Sequence, residues 1–313
     1  MRWGVDDVQE ELARVRALRA NPPGLAVSTD TRRQVFGAAL EQFEQLLRAA
    51  EVIGPASAPL PLFYALSQAG RAIAAARLTD PARWNYTGHG IKAPEGPVPS
   101  AIGDLELKAG KSGKSAYRVV SESVGSAVPS APMRLAELWA SLPLIQVGDG
   151  LGAGLPLAVH ARRTGPTPTT AYIEVTLDGR SEPVKTLLES YPALPALRLV
   201  VGPDLAGRPG VVHGTVSLPL GGRTFEDLLE SYWSDAALYV RPAVSGEPPP
   251  SILMTWWAVL FALSHLARYA PAVWTAAISP DSSDLTVPIE DGLRAAKRSL
   301  PRLVYHGITG SWE

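Results

Sequence analysis

No cysteine occurs among the 313 residues, so disulfides, thiolate nucleophiles, zinc–thiolate centres and iron–sulfur clusters are excluded together. Net charge is nearly absent too: 29 Lys plus Arg stand against 30 Asp plus Glu, leaving −1. No global field draws such a chain to nucleic acid or to an anionic membrane, and any binding of that kind must be local. Residues 1–20 lack the apolar run of a secretory signal and carry Asp6, Asp7, Glu10 and Glu11 instead. The most apolar stretch, residues 252–263, falls short of the roughly 20 residues a bilayer demands and is broken at once by Ser264, His265 and Arg268. No internal repeat and no long low-complexity tract is present. The histidines, His89, His160, His213, His265 and His306, have neither helical metal-site spacing nor carboxylates at partner positions, so no metal or cofactor is expected. These absences describe a globular cytoplasmic protein with no membrane segment, and 46% hydrophobic residues suffice for a large core.

What is there begins with helices. Val5, Val8, Leu12, Val15 and Leu18 recur at spacings of three and four, with acidic residues early and Arg14, Arg16 and Arg19 late, as a helix dipole favours. Asn21, Pro22, Pro23 and Gly24 stop this helix. A second starts at Thr29 or Asp30, carries Val35, Phe36, Ala39, Leu40, Phe43, Leu46 and Leu47 on one face, and ends within residues 52–55. A third covers residues 60–78, where Ala69, Gly70, Ala72, Ala74, Ala75 and Ala76 give a thin surface that a neighbouring helix can approach closely. The chain is organised around residues 251–274. Ser251 can cap a helix there after Pro248, Pro249 and Pro250, and Pro271 closes it near Tyr269. A helix apolar on all sides must be wrapped by other elements. The last helix, residues 286–300, uses Ile289, Leu293 and Ala296 and is expected to end before Pro301.

Between residues 101 and 244 helical periodicity is mostly lost. Strands are expected at residues 117–120, 171–177, 197–201, 211–218 and 238–240, with turns at Asp178-Gly179 and Gly221-Gly222 and short helices at 133–142 and 224–231. Helices, then strands, then helices favour an α+β fold. The N- and C-terminal helices pack together into a helical domain, near Gly70, and the strand-rich middle is inserted into it. The expected divisions are 1–100, 101–245 and 246–313.

Phe63-Tyr64-Ala65-Leu66-Ser67, Gly88-His89-Gly90-Ile91, and Leu263-Ser264 followed by Ala267-Arg268-Tyr269, Pro271 and Trp274 form a combination that resembles the YaaC-like family of bacterial proteins. Pro301-Arg302-Leu303-Val304 fits the same pattern. The matching pieces spread over residues 60–305, and the Arg-Tyr-Ala-Pro-Ala-Val-Trp piece is the most distinctive. The resemblance implies no particular activity and supplies no catalytic residues.

Gly110-Lys111-Ser112-Gly113-Lys114-Ser115 looks like a phosphate loop but lacks the required leading glycine, since Leu105 and Lys108 stand at the two candidate positions. It is read as a basic turn in which Lys111 and Lys114 can touch phosphate. Gly148, Gly150, Gly152 and Gly154 miss a dinucleotide fingerprint because Leu155 stands where its third glycine belongs. No G-x-S-x-G elbow surrounds any serine.

Arg83 and His89, with Trp84 and Tyr86 between them, have a spacing similar to the R-x4–6-H motif of HEPN ribonucleases. Arginine stabilises phosphate charge and histidine moves a proton near neutral pH. In that family the motif lies on a helix, whereas Pro81, Gly88 and Gly90 place this one in a loop. Trp84 and Tyr86 can stack bases of RNA or anchor the loop. His265 and Arg268 share a helical face and can approach the loop once the helices pack; otherwise Arg268 bonds helix-end carbonyls or a carboxylate while Tyr269 and Trp274 staple the chain exit. Two readings follow. The first is a non-catalytic module that binds a protein partner or itself. The second is a HEPN-like RNA-binding protein or ribonuclease with Arg83, His89, His265 and Arg268 as its reactive cluster and Trp84, Tyr86, Lys111 and Lys114 as nucleic-acid contacts.

Overall fold

The first helix, α1 (Val5–Ala20), precedes a capped second helix, α2 (Asp30–Val52), in which the Thr29 hydroxyl accepts from the backbone N–H of Arg32 at 3.2 Å. The third, α3 (Pro59–Arg77), opens on a proline, whose missing N–H costs nothing in a first turn. The structure, a computed structural model, describes residues 5–143, 151–152, 155, 159–162, 170–176, 190–192, 198–202, 211–217, 230–231 and 238–310. The expected turns at residues 178–179 and 221–222, Gly148, Gly150 and Gly154, and most of the expected helix at 224–231 lie outside the described residues.

Two short helices, α4 (Ala116–Ser123) and α5 (Leu135–Ala140), follow in the middle of the chain, and three more complete the described residues: α6 (Ile252–Tyr269), α7 (Pro271–Ala277) and α8 (Thr286–Thr309). Ser251 caps α6 by accepting from the N–H of Met254 at 3.4 Å. Every residue from Ile252 to Ser264 is buried, because α3, α4, α5 and α8 all pack on α6. Trp257 lies against Gly70 of α3, as the small-residue face requires. With α8 against α1 and α3, the two ends of the chain share one core, and the fold is α+β. By length and composition α6 alone among the described helices could cross a bilayer, yet 78% of it is buried inside the protein. Its flanks are covered by protein rather than presented to lipid.

Among the described residues two antiparallel sheets occupy the middle. The smaller has the order β1 (Ile91–Lys92), β2 (Glu106–Ala109), β3 (Met133–Arg134). Its register pairs Lys92 with Lys108 and Leu107 with Met133. Ile102, Leu105, Leu107, Tyr117, Met133 and Trp139 from this region join the same core as the long helices. The larger sheet consists of β4 (Val159–Arg162), β5 (Thr170–Thr176), β6 (Arg198–Gly202), β7 (Val211–Ser217), β8 (Glu230–Ser231) and β9 (Leu238–Val240), in the order β6-β7-β5-β4-β9-β8. Beyond β9, the buried guanidinium of Arg241 donates to the Ser141 and Pro250 carbonyls and to Thr255 Oγ1, tying the end of the sheet to α5 and α6.

Four expectations are corrected. Residues 117–120 form no strand but the middle of α4, since Tyr117, Val119 and Val120 are buried where α4 meets α3 and α6. Packing overrides the β preference of those side chains. Residues 133–134 are strand, so the helix expected at 133–142 starts at Leu135 and ends at Ala140, and Glu230–Ser231 is an edge strand. The last helix also continues through Pro301 to Thr309. Proline there deprives the Lys297 carbonyl of its N–H partner, but Leu300, Leu303, Val304 and Ile308 remain buried along the continued face, and that burial holds the helix together.

Candidate functional site

On α3 the positions left partly open between Pro61 and the exposed last residue, Arg77, are Tyr64, Gln68 and Arg71, spaced by four and three, so one narrow face escapes the core. On α6 only the last turn escapes, with His265 and Arg268 half-buried and Tyr269 exposed. The loop carrying His89 meets the same face of α3: the His89 ring lies 5.1 Å from Phe63 and 5.8 Å from Tyr64, centroid to centroid. His89 and His265 both reach Phe261, at 6.4 and 6.1 Å. A seam forms where α3, the end of α6 and this loop come together.

The loop is pinned in place. Gly90 takes a left-handed φ of +73° and runs so close to the backbone N atoms of Ala116 and Tyr117 that no Cβ would fit. Its carbonyl accepts from the Gly110 N–H at 2.8 Å and from Ser115 Oγ at 3.1 Å. His89 is thus held by a turn built from β1, β2 and the start of α4.

The seam is cationic. Neither α3, α6 nor residues 82–92 contains an Asp or Glu, although the chain as a whole is balanced. Arg268 donates from Nε to the Ser264 carbonyl at 3.1 Å and from Nη1 to Tyr64 Oη at 3.4 Å, and lies 4.9 Å above the Tyr269 ring. Arg71 donates to the Tyr86 carbonyl at 3.0 Å and covers that ring at 5.2 Å. Among the described residues neither arginine has a carboxylate within ion-pair distance, and Arg268 Nη2 has no partner. Burial, then the positive charge of Arg268 and then of Arg71, pushes the His89 imidazole below its ordinary value, and burial followed by Arg268 does the same to His265. Both rings are therefore mostly neutral at pH 7. His89 Nδ1 is buried with no hydrogen-bond partner among the described residues, so only the rest of the half-exposed ring can meet a ligand.

Such a site suits an anion. A charge-assisted hydrogen bond contributes about 1.5–3 kcal/mol, whereas the C-terminal dipole of α6 opposes a nearby anion by about 0.3–1 kcal/mol, so the arginines prevail. The same arginines oppose a cation, and no group of three metal-ligating side chains occurs among the described residues.

Of the residues proposed from sequence, His89, His265 and Arg268 come together and Arg83 does not. Its guanidinium is forked on Glu122, at 2.5 Å to Oε2 and 3.3 Å to Oε1, while Nε donates to the Gly113 carbonyl at 2.9 Å. Trp84 is buried beneath the Arg32 guanidinium at 4.9 Å; Arg32 in turn donates to the Ala75 and Leu78 carbonyls and closes α3. Tyr86 is 2% exposed, with Oη 3.5 Å from the Ser67 carbonyl and burial holding its hydroxyl protonated far above the usual phenol range. Neither ring offers a face to a base; both anchor the loop. Lys111 and Lys114 are exposed on the turn between β2 and α4. Tyr64, Arg71 and Tyr269 were not singled out by spacing. The signal that marks them is the lack of acid across three elements, which gains meaning only once those elements are known to meet.

Compared with known proteins, the chain matches the family model described as YaaC-like protein over residues 19–147 and 224–308. No curated protein and no solved structure matches it significantly.

Proposed function

The chain belongs to the YaaC-like protein family, and we propose that it is a non-catalytic cytoplasmic binding module whose seam between α3 and α6 captures a phosphate-type anion. One observation carries this reading: Arg71 and Arg268 both bear on a mostly neutral His89, and α3, α6 and residues 82–92, which form the seam, hold no Asp or Glu. An arriving oxyanion accepts from Arg268 Nη2 and from a protonated His89, and raises the proton affinity of both histidines. Binding accordingly strengthens as the pH falls.

The ribonuclease reading keeps one supporting feature, two histidines beside an arginine on a half-exposed surface. The arginine its motif requires, Arg83, is engaged with Glu122 and Gly113 instead. Both readings are tested together. Orthophosphate and pyrophosphate are titrated into the folded protein while the histidine NMR resonances and the heat of binding are followed. Saturable shifts at His89 and His265, weakened about tenfold or more by Arg268→Gln, support the binding module; no binding by folded wild type overturns it. Single-stranded RNA is then offered to wild type and to His89→Ala. Cleavage lost in the variant alone would replace the non-catalytic reading with the ribonuclease one.

A further inference from the structure

Among the described residues the large exposed hydrophobic side chains are Val27, Val52, Tyr269 and Val287, so Tyr269, at 67% exposure, is the only aromatic of that group. It does not staple the exit of α6. Trp274 performs that task alone, buried to 2% exposure with its Nε1 donating to the Ala56 carbonyl at 2.9 Å. Among the described residues this exposed ring stands apart from the buried Trp84, Tyr86, Tyr117, Trp139, Trp256 and Trp257. Its neighbours point to a use. His265 lies 4.9 Å away, ring to ring and tilted by 48°, and Arg268 stands 4.9 Å above the ring while its Nη1 reaches Tyr64 Oη. One residue, Arg268, therefore joins the aromatic platform to the anion seam.

We propose that the ligand of the seam is a nucleobase joined to a phosphate, the base stacked on Tyr269 and the phosphate held by Arg268 and Arg71 beside His89. The proposal rests on the anion-binding reading above and adds the ligand class. A stacked base extends the ring system that Tyr269 and His265 begin, with Arg268 contributing its planar cation. Stacking senses the presence of a base more than its identity, because every base has a π-face. The stacking role that spacing assigned to Trp84 and Tyr86 thus passes to Tyr269.

The test compares adenosine 5′-monophosphate with ribose 5-phosphate, which keeps the phosphate and loses the base, by calorimetry on wild type, Tyr269→Ala and Tyr269→Phe. Tyr269 is exposed, so both variants are expected to fold, and circular dichroism verifies it. The expected result is a preference of about tenfold for the nucleotide in wild type, kept by Tyr269→Phe and abolished by Tyr269→Ala, with ribose 5-phosphate bound equally by all three. Equal binding of the two ligands by wild type, or a preference that survives in Tyr269→Ala, overturns the inference and leaves the anion site standing. If neither ligand nor orthophosphate binds, both fall. A short single-stranded oligoribonucleotide separates the two sources of this chemistry: tighter binding than the mononucleotide identifies a nucleic-acid strand, and equal binding a free nucleotide.

Discussion

The indole of Trp257 occupies the space that Gly70 leaves empty. A Cβ on Gly70 would stand 2.5 Å from Cζ3 and 2.8 Å from Cη2 of that indole, and 2.9 Å from Tyr86 Oη. The contact sets how closely α6 approaches α3 and, through the adjacent Arg71, where the seam lies. Alanine at position 70 relieves a helix-propensity penalty of about 1 kcal/mol but overpacks a filled core, at about 1–3 kcal/mol. The expected outcome is a net loss of stability, read as a lower urea midpoint with unchanged slope, together with weaker phosphate binding. Gly37 of α2 is the control. A Cβ there meets nothing within 4 Å, so Gly37→Ala should raise stability by about 0.5–1 kcal/mol.

Stability should fall on mild acidification, for a reason specific to the seam. His89 and His265 are held below the ordinary imidazole value by burial and by Arg268, with Arg71 adding to the effect on His89. The unfolded chain, with ordinary histidines near about 6.5, takes up protons first as the pH drops. Their contribution is thus complete above that value, declines as the pH falls below it, and levels off beneath the folded pKa values. Urea unfolding at pH 7.5 and pH 5.5 measures the difference. In His89→Phe/His265→Phe, which keeps ring packing against Phe63 and Phe261, the difference should shrink; an unchanged slope would assign it to other groups.

Much of this architecture is legible in the sequence because its signals are local and agree. Thr29 and Ser251 cap helices whose apolar spacing is already visible, and Gly70 announces a close neighbour. Tyr117, Val119 and Val120 mislead because a short apolar run has no period long enough to separate strand from helix; only the faces of α3 and α6 decide it. Pro301 misleads in the other direction, since the local rule for proline is outweighed by burial on both sides of it. For the candidate site, His89, His265 and Arg268 stand out by residue type. Arg71 and Tyr64 do not, because the open face of α3 is defined by what covers the rest of that helix.

Arg83 provides the sharpest division between motif and geometry. Its pairing with Glu122 is partly solvated, and exposed ion pairs contribute about 0–1 kcal/mol, so Arg83→Gln should cost little stability. If the seam formed by Arg71, His89 and Arg268 is the anion site, this variant should bind orthophosphate as wild type does, whereas Arg268→Gln should not. A loss on Arg83→Gln equal to that on Arg268→Gln, with unfolding curves unchanged, would restore the four-residue cluster.

Among the described residues Arg241 should be the least replaceable charge. It is 5% exposed, and its guanidinium donates to the Ser141 carbonyl at 2.8 Å, the Pro250 carbonyl at 2.6 Å and Thr255 Oγ1 at 2.7 Å, with Ser141 Oγ 3.3 Å away. These acceptors come from the end of α5, from the proline-rich approach to α6, and from the first turn of α6, so one side chain sets the angle at which the chain leaves β9 and enters the core. Arg241→Met keeps most of the volume but removes the donor to the Ser141 carbonyl, while the Pro250 carbonyl keeps the Thr255 hydroxyl at 3.0 Å and the Ser141 hydroxyl keeps the Leu138 carbonyl at 2.8 Å. An orphaned buried acceptor costs about 1–3 kcal/mol, so a destabilisation of that order is expected. Arg241→Lys keeps the charge but presents a compact ammonium where a planar fork is needed, and should fall between wild type and Arg241→Met. Chemical denaturation of the three proteins checks the order; a methionine variant as stable as wild type would mean that the latch carries no net stability.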